Sequence, residues 1–239
     1  MSTVQTLETI ASKHHERLRT TPALGDSLSE GLVVPALREA IVDGVLAAGS
    51  RLSEVQIAKQ LNVSRTPMRE AFSQLEREGL VTILPRVGAL VRIVTPRDVE
   101  EIYTVRAALE CLAVQEAAER INALGTAQLD DVLDAMRAAV DAGDASRYVD
   151  ALDRFYTIIM AIADNRTLQE THRGLIGPVR RLRRIAMARG GRMRISFDQS
   201  VRIRDAIVQQ SGDDAQKLMR EQLRGACGAA LDVLKGGDD

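Results

Sequence analysis

The 239-residue sequence has no tryptophan, three phenylalanines and three tyrosines, so aromatics make up only 3% of it. Its core must be built from Ala, Leu, Val and Ile, side chains that pack readily between helices. Cysteine is equally scarce. Cys111 and Cys227 lie far apart without CxxC spacing, and they read as buried free thiols of a reducing compartment. Imidazole is limited to His14, His15 and His172, too few for a soft or borderline transition-metal site. No apolar run approaches the roughly 18 residues that span a bilayer, and the N-terminus carries no hydrophobic signal core. A soluble, cytoplasmic protein with no membrane partner is expected. No Ser-His-Asp, Cys-His, metal-ligand or phosphate-loop constellation occurs, and His172 has no evident partner in sequence, so the enzyme reading is weak.

What is present is ordinary for a globular chain: 45% hydrophobic and 27% charged residues, enough to exclude disorder over most of the length and to bury two cores. The net charge of −1 offers no overall attraction to nucleic acid. Locally, residues 32–94 hold eight Lys or Arg against six Asp or Glu, a slight basic excess that a phosphate-binding surface needs but that does not prove one.

Residues 1–28 are polar and read as a tail or a loosely attached helix. From Leu32 the period becomes helical, with Val33, Leu37, Ile41 and Val45 four apart and Gly49 closing the segment. Ser53-Glu54-Val55-Gln56 has the form of a capping box, and Ile57, Ala58 and Leu61 supply the inward face of a second helix. Asn62 marks a turn, because Asn tolerates a left-handed backbone. Ser64 then caps a third helix with Pro67 in its first turn, where the missing N–H costs nothing. Met68, Ala71, Phe72 and Leu75 share one face of it, and Arg65, Thr66, Arg69 and Ser73 lie on others. After Gly79 the period changes to two. Leu80 to Leu84 and Ala89 to Val94 read as a two-stranded wing about Pro85-Arg86-Val87-Gly88.

Capped helix, turn, second helix and Gly-tipped wing, in order within about 45 residues, predict a winged helix-turn-helix over residues 29–94. Arg65 and Arg69 taken alone would be a solvated helix face beside Glu70. In this order they become the leading residues of a recognition helix, suited to base edges and phosphates. Thr95-Pro96 opens a further helix, and breaks near 122–126, 142–144, 164–166, 190–191 and 211–213 predict an all-α bundle of about six or seven helices over residues 95–239. The fold class expected is thus mainly α.

The sequence resembles the GntR family of bacterial regulators. The matching residues are Gly49-Ser50-Arg51-Leu52-Ser53-Glu54, then Ile57-Ala58-Lys59-Gln60-Leu61-Asn62-Val63-Ser64-Arg65-Thr66-Pro67-Met68-Arg69-Glu70-Ala71, then Leu75-Glu76-Arg77-Glu78-Gly79-Leu80-Val81. Carried over by position, the resemblance implies DNA contacts by Ser64, Arg65, Thr66 and Arg69, and by Arg86 and Gly88 in the wing. Many relatives place an Arg after the Glu of the second helix. This chain has Val55 there, so one contact is missing or supplied elsewhere.

Asp98-Val99-Glu100-Glu101-Ile102-Tyr103-Thr104-Val105-Arg106-Ala107-Ala108-Leu109-Glu110 looks like the first helix of the FCD effector domain of the FadR subgroup, and Phe155, Asn165, Leu168, Asp205-Ala206-Ile207 and Met219 agree with it. The resemblance implies a helical bundle with a ligand cavity, usually in a homodimer. Where many members hold a divalent metal, it points to Leu152, Tyr156, Ser200 and Gln222, so no metal and no cofactor are expected. Tyr156, Ser200 and Gln222 become effector-binding candidates, set against a satisfied polar core. Arg106 is a candidate carboxylate anchor, set evenly against an ion pair with Glu110 four residues on. Seven arginines from Arg180 to Arg194 crowd the acid-free stretch between His172 and Asp198; a solvated face or dimer salt bridges is the preferred reading, with one or two turned inward onto an anion as the other. The expected partners are operator DNA, a second copy of the chain and a small organic acid or sugar acid. The alternatives are a constitutive DNA binder whose helical domain only dimerises, and an enzyme.

Overall fold

The computed structural model describes residues 30–60, 63–85 and 87–236. The polar tail 1–28, Leu61, the Asn62 turn and Arg86 lie outside the described residues. The chain divides into two compact units. One runs through Val94 and takes in Ile176–Arg181; the other comprises Thr95–Leu175 and Leu182–Asp239.

In the first unit, α1 (Glu30–Val42), β1 (Arg51–Leu52), α2 (Glu54–Gln60), α3 (Arg65–Arg77), β2 (Val81–Leu84) and β3 (Gly88–Val91) follow in order. Helix α1 stops at Val42, before Val45 and Gly49, because Gly44 takes a left-handed φ of 75° and turns the chain early. Val33, Leu37 and Ile41 of α1, Ile57 and Ala58 of α2, and Met68, Ala71, Phe72 and Leu75 of α3 form one core with Leu80, Val81, Ala89 and Val91. At the end of α3, Gly79 (φ 71°) donates to Glu76 O and Leu80 donates to Leu75 O. That is a Schellman close, and it swings Leu80 back onto the core.

The sheet is antiparallel with order β1-β3-β2, three strands where the sequence pattern shows two. Arg51–Leu52 pairs with Leu90 and Ala89, and a two-residue strand is too short to display a period of two. Gly88 opens β3 with φ 118°, and a Cβ there would lie 2.1 Å from the Leu52 carbonyl oxygen. Close backbone approach, independent of DNA, therefore requires glycine. Gly88→Ala is expected to destabilise the wing by roughly 1–3 kcal/mol, seen as a lower urea midpoint and faster amide exchange at Ala89 and Val91.

After Thr95, among the described residues, six helices follow: α4 (Pro96–Arg120), α5 (Ala123–Asp141), α6 (Ala145–Ala163), α7 (Arg166–Ala188, of which Ile176–Arg181 count with the first unit), α8 (Arg192–Val208) and α9 (Gly212–Lys235). The breaks between them fall where polar caps interrupt the apolar pattern. Thr95 and Asp98 form a reciprocal capping box, and Asn122, Asp144 and Asn165 each accept a backbone N–H at a helix start. Helix α4 lies at the centre, packed on α6, α8 and α9. Its inward positions include not only Val99, Cys111 and Val114 but Tyr103, Arg106 and Glu110, so this core has a polar layer.

Candidate functional site

The exposed start of α3 is assembled by one carboxylate. Glu54, at the first position of α2, accepts from Arg65 Nε at 3.0 Å and from Arg69 Nε at 3.2 Å. Its side chain is 17% exposed, against 63% for Arg65 and 68% for Arg69. Burial is the largest single influence and raises the carboxyl, but the hydrogen bonds and charges of Arg65 and Arg69 together outweigh it and hold Glu54 below its ordinary range. Each guanidinium is thus held through its inner nitrogen, Nε, and carries further donors on its outer nitrogens. Ordering two long side chains before a partner arrives lowers the entropy lost on binding.

Ser64 and Thr66 are exposed beside the two arginines. Ser64 occupies the N-cap position in an extended conformation, yet its side chain makes no capping hydrogen bond. The first N–H groups of α3 therefore keep an anion-facing end. A groove of about 530 Å³ runs between this helix and the wing, lined by Glu54, Val55, Arg65, Arg69, Ser73 and Gly88 among others. Val55 is 56% exposed at its edge, so the position that lacks an Arg is still on the open surface. Two further contacts brace α3. Arg38 of α1 forms a bidentate pair with Glu78 at 2.6 and 2.7 Å, and Glu76 Oε1 accepts from Ile83 N at 2.7 Å.

The second unit holds a buried polar cluster. Arg106 is 1% exposed, and its Nε donates to Glu110 Oε1 at 2.7 Å, which is the ion pair the i, i+4 spacing allows. The same oxygen lies 2.8 Å from His172 Nε2 on α7, a partner that sequence reasoning did not find. Burial acts against both charges, but Glu110 keeps Arg106 ionised, and the Arg106 and His172 contacts lower the Glu110 carboxyl to about 2. The Arg106 guanidinium carbon sits 4.6 Å from the Tyr103 ring centre and 5.8 Å from that of Tyr156.

Arg183 corrects the outward reading of the arginine-rich stretch. It is 3% exposed, donates from Nη1 to Asp153 Oδ1 at 2.6 Å, and places its guanidinium carbon 5.8 Å from the same Tyr156 ring. In sequence nothing separates it from Arg181 or Arg184, because the rotation of α7 about its axis is set by packing.

Three effector candidates are brought together and bonded to one another. The Tyr156 hydroxyl donates to Gln222 Oε1 at 3.3 Å. Gln222 Nε2 in turn donates to Ser200 Oγ at 3.0 Å and to Ser196 O at 3.3 Å, and Ser200 Oγ donates to Ser196 O at 3.0 Å. These groups form a satisfied polar core. The fourth position, Leu152, is buried and apolar. A phenol, a hydroxyl, an amide and a leucine do not fit a divalent metal, and among the described residues no group of three or more His, Cys, Asp or Glu stands together.

A winged helix-turn-helix with two clamped, exposed arginines and an all-α bundle with a charged interior define a two-part, DNA-binding transcription regulator. Residues 31–91 match the family model of bacterial regulatory proteins, gntR family, and residues 101–225 match that of the FCD domain. The chain belongs to the GntR family, in the branch that carries an FCD domain. It is 38% identical over 150 residues, covering 60% of this chain and 88% of the relative, to an uncharacterised HTH-type transcriptional regulator in the TAR-I ttuE-ttuC' intergenic region of Agrobacterium vitis. It is 29% identical over 188 residues, 79% of this chain and 82% of the relative, to the HTH-type transcriptional repressor RspR of Escherichia coli K12. In fold it is similar to E. coli McbR/YncC, with a TM-score of 0.73 at 22% identity over 85% of this chain and 97% of that one.

Proposed function

We propose that the protein is a repressor that a small organic acid releases from its operator. A homodimer in the bacterial cytoplasm places two copies of α3 on a two-fold operator, with Arg65, Thr66 and Arg69 toward bases and phosphates and Ser64, Arg86 and Gly88 alongside the backbone. Residues 29–94 serve as the reader, and residues 95–239 bind the effector and dimerise. The observation that carries the reading is the Glu54 clamp, which presents two guanidiniums in one exposed, ordered unit. A repressor among the relatives, RspR of E. coli, supports the direction of control.

Arg106 anchors the acid in this reading. Tyr156, Ser200 and Gln222 line the layer beside it, although their mutual hydrogen bonds favour support of the site over direct contact. The family and its relatives are transcription regulators, and no catalytic role is assigned. Operator fragments titrated with a panel of carboxylates and sugar acids test the proposal: one class should stabilise the protein to heat and weaken DNA binding by about 5- to 150-fold. Operator binding that no compound on the panel alters would instead favour a constitutive binder.

A further inference from the structure

The buried layer of the second unit contains charged atoms that the protein itself does not satisfy. Arg106 Nη1, Arg183 Nη2, Glu110 Oε2 and the Tyr103 hydroxyl are all buried without a hydrogen-bond partner among the described residues. Tyr103, Arg106, Glu110 and Arg183 are each no more than 3% exposed. A buried ionic atom left without a partner is costly, and native proteins retain such atoms where something else completes them. The two arginines stand against one ring, that of Tyr156, each with its guanidinium carbon at 5.8 Å. Each uses one nitrogen on its own carboxylate, Glu110 or Asp153, and turns another to no acceptor.

We infer that Arg106 and Arg183 are two arms of one anion clamp, and that its ligand is a hydroxy acid. The inference rests on the effector reading above and adds Arg183 and Glu110 to it. Two donor nitrogens on neighbouring cations match a carboxylate, which offers two acceptor oxygens. Glu110 Oε2 is the opposite case, an acceptor that needs a donor from the same ligand. A hydroxyl supplies that donor without adding charge. An ammonium would bring a third cation beside two buried guanidiniums, where like charges repel strongly. A plain carboxylate leaves Glu110 Oε2 unsatisfied, and a polyol offers the two arginines only neutral acceptors in place of a charged one. The Tyr103 hydroxyl, able to donate or accept, suits a second oxygen of the ligand.

The test uses the full-length protein and calorimetric titration with matched probes: lactate, glycerate, malate and gluconate, with alanine, serine, aspartate, propionate, succinate and glucitol as counterparts. At least one hydroxy acid should bind, about tenfold or more tighter than its amino, deoxy or uncharged counterpart. Because Arg183→Met removes the cation that faces Asp153, the paired variant Arg183→Met/Asp153→Asn is measured beside Arg183→Lys, with circular dichroism as the check on folding. Both should lose about tenfold or more in hydroxy-acid affinity, since Lys keeps the charge but not the fork. Unchanged affinity in both variants, or tighter binding of an amino or deoxy counterpart, overturns the clamp while the organic-acid reading stands. No binding by any carboxylate overturns both.

Discussion

Replacing Arg65 and Arg69 together with alanine is expected to weaken operator binding by roughly 30-fold to 10⁴-fold, since each bidentate contact to a base is worth about 1–3 kcal/mol. Both side chains are more than half exposed and belong to no core cluster, so the fold and its thermal midpoint should change little. Fluorescence anisotropy with operator and scrambled DNA at several salt concentrations is the measurement. If an arginine meets phosphate rather than base, its loss lowers the salt slope by about 0.9 and weakens both DNAs alike. If it meets a base, the gap between the two DNAs closes instead. Glu54→Gln should produce a smaller loss in operator affinity, because it removes the charge that orders both arginines but leaves both guanidiniums in place. Operator affinity unaltered in the double variant would remove α3 as the reader.

Arg106→Met is expected to cost the second unit about 3–5 kcal/mol, because it leaves the Glu110 carboxylate buried beside nothing but His172. Urea denaturation reads this directly. Replacing Arg106 and Glu110 together by apolar residues should cost less than Arg106→Met alone, since no charge is then stranded. The same pair makes a pH prediction. The Glu110 carboxyl is held at about 2 in the folded chain, below the ordinary glutamate value near ~4.3. Its stabilisation is complete above the unfolded value and is lost as pH falls through the interval between the two. The unfolding free energy of the parent should therefore drop more steeply from about pH 4.3 toward 2 than that of Glu110→Gln. Parallel curves would show that the pair does not couple to folding.

The DNA-reading half was legible in sequence to the level of single helices. The inward face Met68, Ala71, Phe72 and Leu75 is a period-3.6 stripe, and all four residues are buried in the core as that spacing requires. Caps at Ser53, Thr95, Asn122, Asp144 and Asn165 act through bonds to neighbouring residues, so they too can be read locally. The β1 strand escaped because two residues carry no period, and the early end of α1 escaped because one glycine outweighed a continuing apolar pattern. Gly88 was read as the last residue of the wing turn, whereas it opens β3, and the reason for glycine there is the Leu52 carbonyl, on a strand 36 residues earlier in the chain.

By itself the sequence determined the class of the molecule: helix, turn, helix and wing, then a bundle, each set by contacts within a few residues. Only the tertiary structure decided which charges meet. Glu54 reaches Arg65 and Arg69 across 11 and 15 residues, His172 reaches Glu110 across 62, and Arg183 reaches Asp153 across 30. None of these pairs has a spacing signature, because each depends on how one helix is rotated against another. That rotation is set by the summed packing of apolar faces, and the scarce large side chains leave Ala, Leu, Val and Ile to set it.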